Sequence, residues 1–204
     1  MINSPAFAGY LASVARGSAT SSAARFTVPR VSCTRTPVDR FITIEARVDV
    51  NNFRSHSSAA LFAGCHAGRV VYFPALVING NEVNYTTTRV RAGDLIEVSV
   101  KVTTRGTTVQ VTDVTRRVTK RRTGPGARSG DALIGNVNVL LEPAGTRLGV
   151  PAFGTIVFTG LIDGRALGRA HAVRVQRVSG RTVQIATGPL SPRGLVFATH
   201  YKHF

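Results

Sequence analysis

Six cations crowd one stretch of the chain: Arg116, Arg117, Lys120, Arg121, Arg122 and Arg128, interleaved with Thr123-Gly124-Pro125-Gly126 and followed by Ser129-Gly130. A guanidinium presents a rigid fork of donors that matches phosphate or carboxylate. These residues therefore read as backbone phosphate contacts without base specificity, or as the solvated face of a flexible loop. Few aromatic residues accompany them, so stacking on single-stranded bases has little support. The stretch is expected to be a long polar loop, at about 116–131, between strands. Cys33 and Cys65 lack metal-ligand spacing, and spacing alone leaves one bridge or two buried thiols equally open. Cys65-His66 is a candidate nucleophile pair, though a structural cysteine is the stronger reading. His200 and His203 would face opposite sides of a strand, so no metal site is expected. Gly124, Gly126 and Gly130 make no phosphate loop, because no Lys-Ser/Thr follows them. No cofactor motif is found. Asn84-Tyr85-Thr86 is a glycosylation sequon, and Glu142 and Asp163 are carboxylates that nothing in the sequence brings together.

The elements that must position these residues are strands. Ile42, Ile44, Ala46, Val48 and Val50 share one face of a run from Phe41, and Thr43, Glu45, Arg47 and Asp49 share the other. Ile96, Val98, Val100 and Val102 alternate with Glu97, Ser99 and Lys101; Val109 and Val111 continue the pattern. Val173 and Val175 oppose Arg174 and Gln176, and Ser179-Gly180 turns into Val183 and Ile185. Asn79-Gly80, between Leu76-Val77-Ile78 and Glu82-Val83-Asn84, is a hairpin signal. No segment carries a helical stripe. Short β-branched strands separated by Gly, Pro, Asn and Ser predict an all-β sandwich or barrel.

Composition sets the outer limits. At 204 residues and 43% hydrophobic, the chain is long enough to bury a core and reads as one domain over 1–204. It has no run of about 18 apolar residues, so no membrane span is expected. Met1–Tyr10 lacks a charged start and a long apolar stretch. The chain is thus expected to be intracellular or particle-associated, or extracytoplasmic if a leader has been removed. Twenty-six Lys and Arg against 10 Asp and Glu give +16, and 23 of the cations are Arg. Such a charge points to a polyanionic partner, nucleic acid or an acidic surface, without making it specific. A peptide or protein partner stays open, and the oligomeric state is not read.

A series of landmarks runs along nearly the whole chain: AGYLAS (Ala8–Ser13), FTVPRVSCT (Phe26–Thr34), FITIEA (Phe41–Ala46), Cys65, then Tyr72-Phe73. AGDLIEVSV (Ala92–Val100), VQVTDVT (Val109–Thr115), NVLLEP (Asn138–Pro143) and PAFGTIVF (Pro151–Phe158) complete it. In this order the landmarks resemble the eqolisins, the glutamic peptidases. The resemblance implies a bent, two-sheet antiparallel β-sandwich of the concanavalin-like kind. It also implies a Cys33–Cys65 bridge and an oxidising compartment.

The chemistry of that family is not carried over with the landmarks. Eqolisins pair a Glu, the general base for water, with a Gln that polarises the carbonyl and holds the oxyanion. At the Gln position this sequence offers Ser58 or Phe62, and its first Gln is Gln110 in another strand. The two acidic positions of the Glu motif become Asn138 and Glu142. The family's cleft tryptophans have no counterpart, because the chain has no Trp. Its pI near 11.6 departs from an acidic, acid-active family. Three readings follow. The first is a pseudoenzyme, a degenerate eqolisin-like sandwich acting as a binding or structural module for a polyanion. The second is an acid endopeptidase with a rearranged site, using Glu142 and Ser58. The third is a coat subunit enclosing nucleic acid, although residues 1–24 hold only Arg16 where such subunits concentrate cations.

Overall fold

Period-two alternation needs two apolar layers facing each other, and the chain supplies both. The computed structural model describes residues 1–14, 19–33, 40–51, 55–138, 151–179 and 181–202. Among them every regular element is a strand: β1 (Ile2–Ser4), β2 (Phe7–Ala12), β3 (Thr20–Thr27), β4 (Arg40–Val50), β5 (Ser55–His66), β6 (Arg69–Ile78), β7 (Asn81–Asn84) and β8 (Leu95–Val102). The series continues with β9 (Thr107–Asp113), β10 (Val118–Gly124), β11 (Ser129–Asn138), β12 (Thr155–Ile162), β13 (Arg165–Ala166), β14 (Val173–Ser179), β15 (Thr182–Thr187) and β16 (Val196–Tyr201). No helix among the described residues is long and apolar enough to cross a membrane.

Hydrogen bonding runs in one path, β10-β9-β8-β3-β12-β16-β15-β14-β2-β11-β4-β5-β6-β7, with β13 beside β12 and β1 beside β14. All pairings are antiparallel except β1 with β14. The path bends so that β3 packs on β11 and β4, β8 on β4 and β5, and β9 on β5 and β6. The two expected sheets are therefore two layers of one sheet, β10-β9-β8-β3-β12 and β2-β11-β4-β5-β6-β7, with β16-β15-β14 carrying the path between them.

The core between the layers follows the alternation read from the sequence. Ile42, Ile44, Ala46, Val48 and Val50 of β4 are fully buried against Ile96, Val98, Val100 and Val102 of β8 and their neighbours. Phe158 stacks on Phe197 with ring centroids 4.8 Å apart, and Phe26 lies 5.6 Å from Phe158. Each fully buried Ile, Leu or Phe contributes roughly 1.5–3 kcal/mol relative to an exposed position. Asn79 (φ 51°) and Gly80 (φ 85°) form the hairpin between β6 and β7, with both residues in the left-handed region that such a turn requires.

The basic stretch departs from expectation. Val118–Gly124 is not loop but the strand β10, paired along its length with β9. Val118, Thr119 and Thr123 are β-branched and suit a strand, and an edge position leaves its cations exposed or half-buried rather than enclosed.

Cys33 and Cys65 are joined, with Cα atoms 5.6 Å apart and a sequence separation of 32. The bridge ties the segment after β3 to the end of β5. Closing a loop of that length restrains the unfolded chain by about 3–4 kcal/mol on the chain-entropy account. Reduction with alkylation is expected to lower the unfolding free energy by about that amount, read as a lower denaturant midpoint, with a steeper slope as the unfolded chain is freed to expand.

Candidate functional site

The second face of the β11-β4-β5-β6 layer turns away from the core, yet much of it is buried. Register sets its rows. Thr43, Phe62 and Phe73 are neighbours across β4, β5 and β6; Glu45, Ala60 and Ala75 form the next row; Arg47, Ser58 and Val77 the next; and Asp49 pairs with His56. On the other side of β4, Glu45 is opposite Gly135, which is opposite Gly9. Glu45 thus sits in a row of small residues, Gly9, Gly135, Ala60 and Ala75.

Two chemistries meet on this face. One end is aromatic: Phe62 stacks on Phe73 at 4.9 Å between ring centroids, and Phe41 meets both edge-on at 6.5 and 6.4 Å. A cavity of about 660 Å³ opens beside it, lined by Phe41, Phe73, Val70 and Val90, with His66 and Arg91 also in its wall. The other end is polar. Arg47 donates from Nε to Asp49 Oδ1 at 2.7 Å, and its Nη2 lies 2.6 Å from the same oxygen. Glu45 is 4% exposed, and Ser58 is fully buried.

Burial pushes the Glu45 carboxyl up to about 7, against the pull of the Arg47 guanidinium and the Ser58 hydroxyl; Asp49 and Glu82 add smaller upward pushes. Although the Ser58 hydroxyl favours the charged form, neither its Oγ nor Glu45 Oε1 completes a hydrogen bond of ordinary geometry. Burial, helped by Arg47, lowers His56 to about 4. A carboxyl that titrates near neutrality beside a hydroxyl and a guanidinium is the arrangement a general acid or base requires.

The profile of the peptidase A4 family matches residues 5–187. The chain belongs to that family. None of the curated proteins matches it. Among solved structures it is similar to scytalido-glutamic peptidase in complex with a peptide-based transition state analog (TM-score 0.71, 13% identity, 97% of this chain and 100% of the other). It is also similar to SCP-B, an eqolisin in complex with the tripeptide Ala-Ile-His (TM-score 0.62, 12% identity, 97% and 100%). A third is aspergilloglutamic peptidase from Aspergillus niger (TM-score 0.60, 15% identity, 79% and 99%). At these identities the likeness is one of fold, the eqolisin β-sandwich.

Within this peptidase A4 fold, the residues singled out from the sequence fall in several places. Ser58 and Phe62 both lie on the second face of β5, the first in the polar rows and the second in the aromatic cluster. Glu142 lies outside the described residues, and Asn138 is placed by its backbone pairing with Ile42. Asp163 accepts from the Ser21 backbone N–H at 2.6 Å, and His200 Nδ1 is 2.9 Å from Thr155 Oγ1. His203 lies outside the described residues. No group of three or more His, Cys, Asp or Glu among the described residues has the geometry to hold a metal.

Half of the six clustered cations have internal partners. Arg116 Nε donates to Asp94 Oδ2 at 2.7 Å and lies 3.7 Å from Asp113 Oδ2. Arg122 Nη1 donates to the carbonyls of Leu76 and Asn81 at 2.9 and 3.0 Å. Lys120 Nζ lies 5.4 Å over the Tyr85 ring. Arg117, Arg121 and Arg128 remain exposed and spread out.

Glu45 is the residue that sequence reasoning passed over. It belongs to the polar half of β4, which alternation alone assigns to solvent. The available signal lay in β5, where Ala59-Ala60-Leu61 and Ala63-Gly64 are small or apolar on both faces, as in a strand covered on both sides.

Glu45 and His56 give the protein opposed pH dependences. The Glu45 carboxyl is raised from 4.5 to about 7, so the folded state keeps a proton that the unfolded chain loses, and stability falls as pH rises through that window. His56 is lowered from 6.5 to about 4, so stability falls as pH drops through that one. Each window is worth on the order of 3 kcal/mol, at about 1.4 kcal/mol per tenfold separation. Glu45→Gln is expected to leave the His56 slope and remove the other. The stability difference between variant and parent then shifts in the variant's favour by on the order of 3 kcal/mol from pH 4.5 to 7, measured by denaturant titration.

Proposed function

We propose that this chain is a peptide-binding module built on the peptidase A4 scaffold, with the family's Gln/Glu chemistry not retained. The observation that carries the reading is Phe62. The family resemblance places the oxyanion-holding Gln at Ser58 or Phe62, and the ring of Phe62 is committed to a stack on Phe73 with Phe41 at its edge. A phenyl ring has no donor for an oxyanion, and losing one such donor costs about 3–4 kcal/mol of transition-state stabilisation. The same rings offer a surface for an apolar side chain, and the 660 Å³ cavity beside Phe41 and Phe73 gives it depth. Peptide-based ligands held by the similar eqolisins support a peptide as the occupant. A polyanion held along β10 has less to rest on, with three of the six cations engaged internally.

A second reading, a peptidase with a rearranged site, is favoured by one observation. Glu45 and Ser58 are buried near each other, each with an oxygen that lacks a standard hydrogen bond. In that reading Glu45 replaces Glu142 as the base.

Both readings are separated by one set of measurements. The protein is incubated with a denatured protein substrate from pH 3 to 8, products are read by mass spectrometry, and peptide binding is followed by fluorescence polarisation. The module reading expects no cleavage above blank, with binding of apolar peptides weakened about three- to tenfold by Phe73→Ala, the loss expected for one aromatic contact. Cleavage abolished by Glu45→Gln supports the rearranged peptidase. Cleavage abolished by Glu142→Gln but not by Glu45→Gln overturns both in favour of a family-type site.

A further inference from the structure

Away from the aromatic face, a second cavity of about 540 Å³ opens where the ends of β2, β3, β8 and β12 meet. Its wall carries Lys101, Arg165, Arg169 and His171, and among the described residues the only carboxylate lining it is Asp163. The register brings them together. Ser21 is paired with Lys101 across β3 and β8, Ser22 with Ile162 across β3 and β12, and Ile162 with Arg165 across β12 and β13. Arg169 is held by a turn in which its N–H and that of Ala170 both donate to the Ala166 carbonyl.

The charges do not balance. Asp163 Oδ1 accepts from the Ser21 backbone at 2.6 Å, and Asp163 N–H donates back to the Ser21 carbonyl at 2.9 Å, so this carboxylate is tied into the wall. Lys101, Arg165 and Arg169 have exposed side chains and make no ion pair among the described residues. Three permanent cations from three different elements thus share one concavity with one engaged carboxylate. Clustered like charges repel, and a concave wall focuses their field on whatever enters. Asp163 and His171 also hold left-handed backbone (φ 52° each), a conformation uncommon for residues with a side chain.

We propose that this cavity binds a polyvalent oxyanion, a ligand bearing two or more phosphate or sulfate groups, between Arg165, Arg169 and Lys101. Forked guanidinium donors match tetrahedral oxyanions, and the Lys101 ammonium adds a mobile point charge. The volume greatly exceeds the roughly 30 Å³ that one water occupies, so a linked pair of groups fits better than a single ion. The proposal is independent of the peptide-binding reading, because the two cavities share no residue.

Isothermal titration with inorganic pyrophosphate and with a disulfated heparin disaccharide tests it and separates phosphate from sulfate ligands. The expected result is saturable, one-site binding of at least one probe, weakening as salt rises from about 50 to 200 mM. The double variant Arg165→Ser/Arg169→Ser is expected to lose affinity about tenfold or more, as befits charge-assisted hydrogen bonds. The control Arg117→Ser/Arg121→Ser, two exposed cations elsewhere, should change affinity less than about twofold. All four positions are exposed, so both variants should fold. Absence of saturable binding by either probe overturns the proposal, and so does an equal loss in the two double variants, which would reflect net charge alone.

Discussion

Gly9 and Gly135 are opposite each other across the β2–β11 pairing, and neither has room for a side chain. A Cβ on Gly9 would sit 2.1 Å from the Ile134 carbonyl oxygen, and one on Gly135 would sit 2.1 Å from that of Ala8. The pairing is the middle link of the hydrogen-bonded path from β14 through β2 and β11 to β4, so the path between the layers depends on this close approach. It also sets the neighbourhood of the buried carboxylate, since Gly135 is the cross-strand neighbour of Glu45. The backbone tolerance of glycine thereby links the bend of the sheet to the chemistry of its second face.

That second face combines properties seldom found side by side. Its aromatic end buries rings against one another, while burial pushes a carboxyl one row away and an imidazole three rows away toward their neutral forms. Arg47 and Asp49, paired with each other, share these rows with them, and Glu82 extends the Arg47 row beyond Val77. A desolvated acid and a desolvated base cost stability in opposite pH ranges, which flattens the joint dependence where the ranges overlap. A protein arranged this way keeps buried titratable groups without a strong stability optimum between pH 4.5 and 6.5.

The layered strand architecture was legible because alternation is a property of single strands. Ile42 to Val50, Ile96 to Val102 and the Asn79-Gly80 turn each carry their instruction locally. The landmarks in their order led to the family, and its resemblance led to the Cys33–Cys65 bridge. Three features were not legible, for distinct physical reasons. Arg121 and Arg122 dominate β10 by charge, yet an edge strand tolerates and even favours such residues, so composition concealed a strand as a loop. Glu45 lies on the polar half of an alternating strand, and only tertiary packing decides whether that half meets water. The cationic cavity was equally hidden, because Lys101 and Arg165 are far apart in sequence and meet only through the register of β3, β8, β12 and β13.

The two ends of the hydrogen-bonded path, β10 and β7, come close enough for one side chain to span them. The Arg122 guanidinium holds the carbonyls of Leu76 and Asn81 and so laces one terminal edge to the other. An open sheet edge is where a foreign chain adds a strand and where aggregates begin. Here an intruding strand must first displace a charged fork from two backbone oxygens, then settle among Lys120 and Arg121. The lacing thus acts as a guard against self-templating, and part of the Arg content is spent on closing the sheet's own edges.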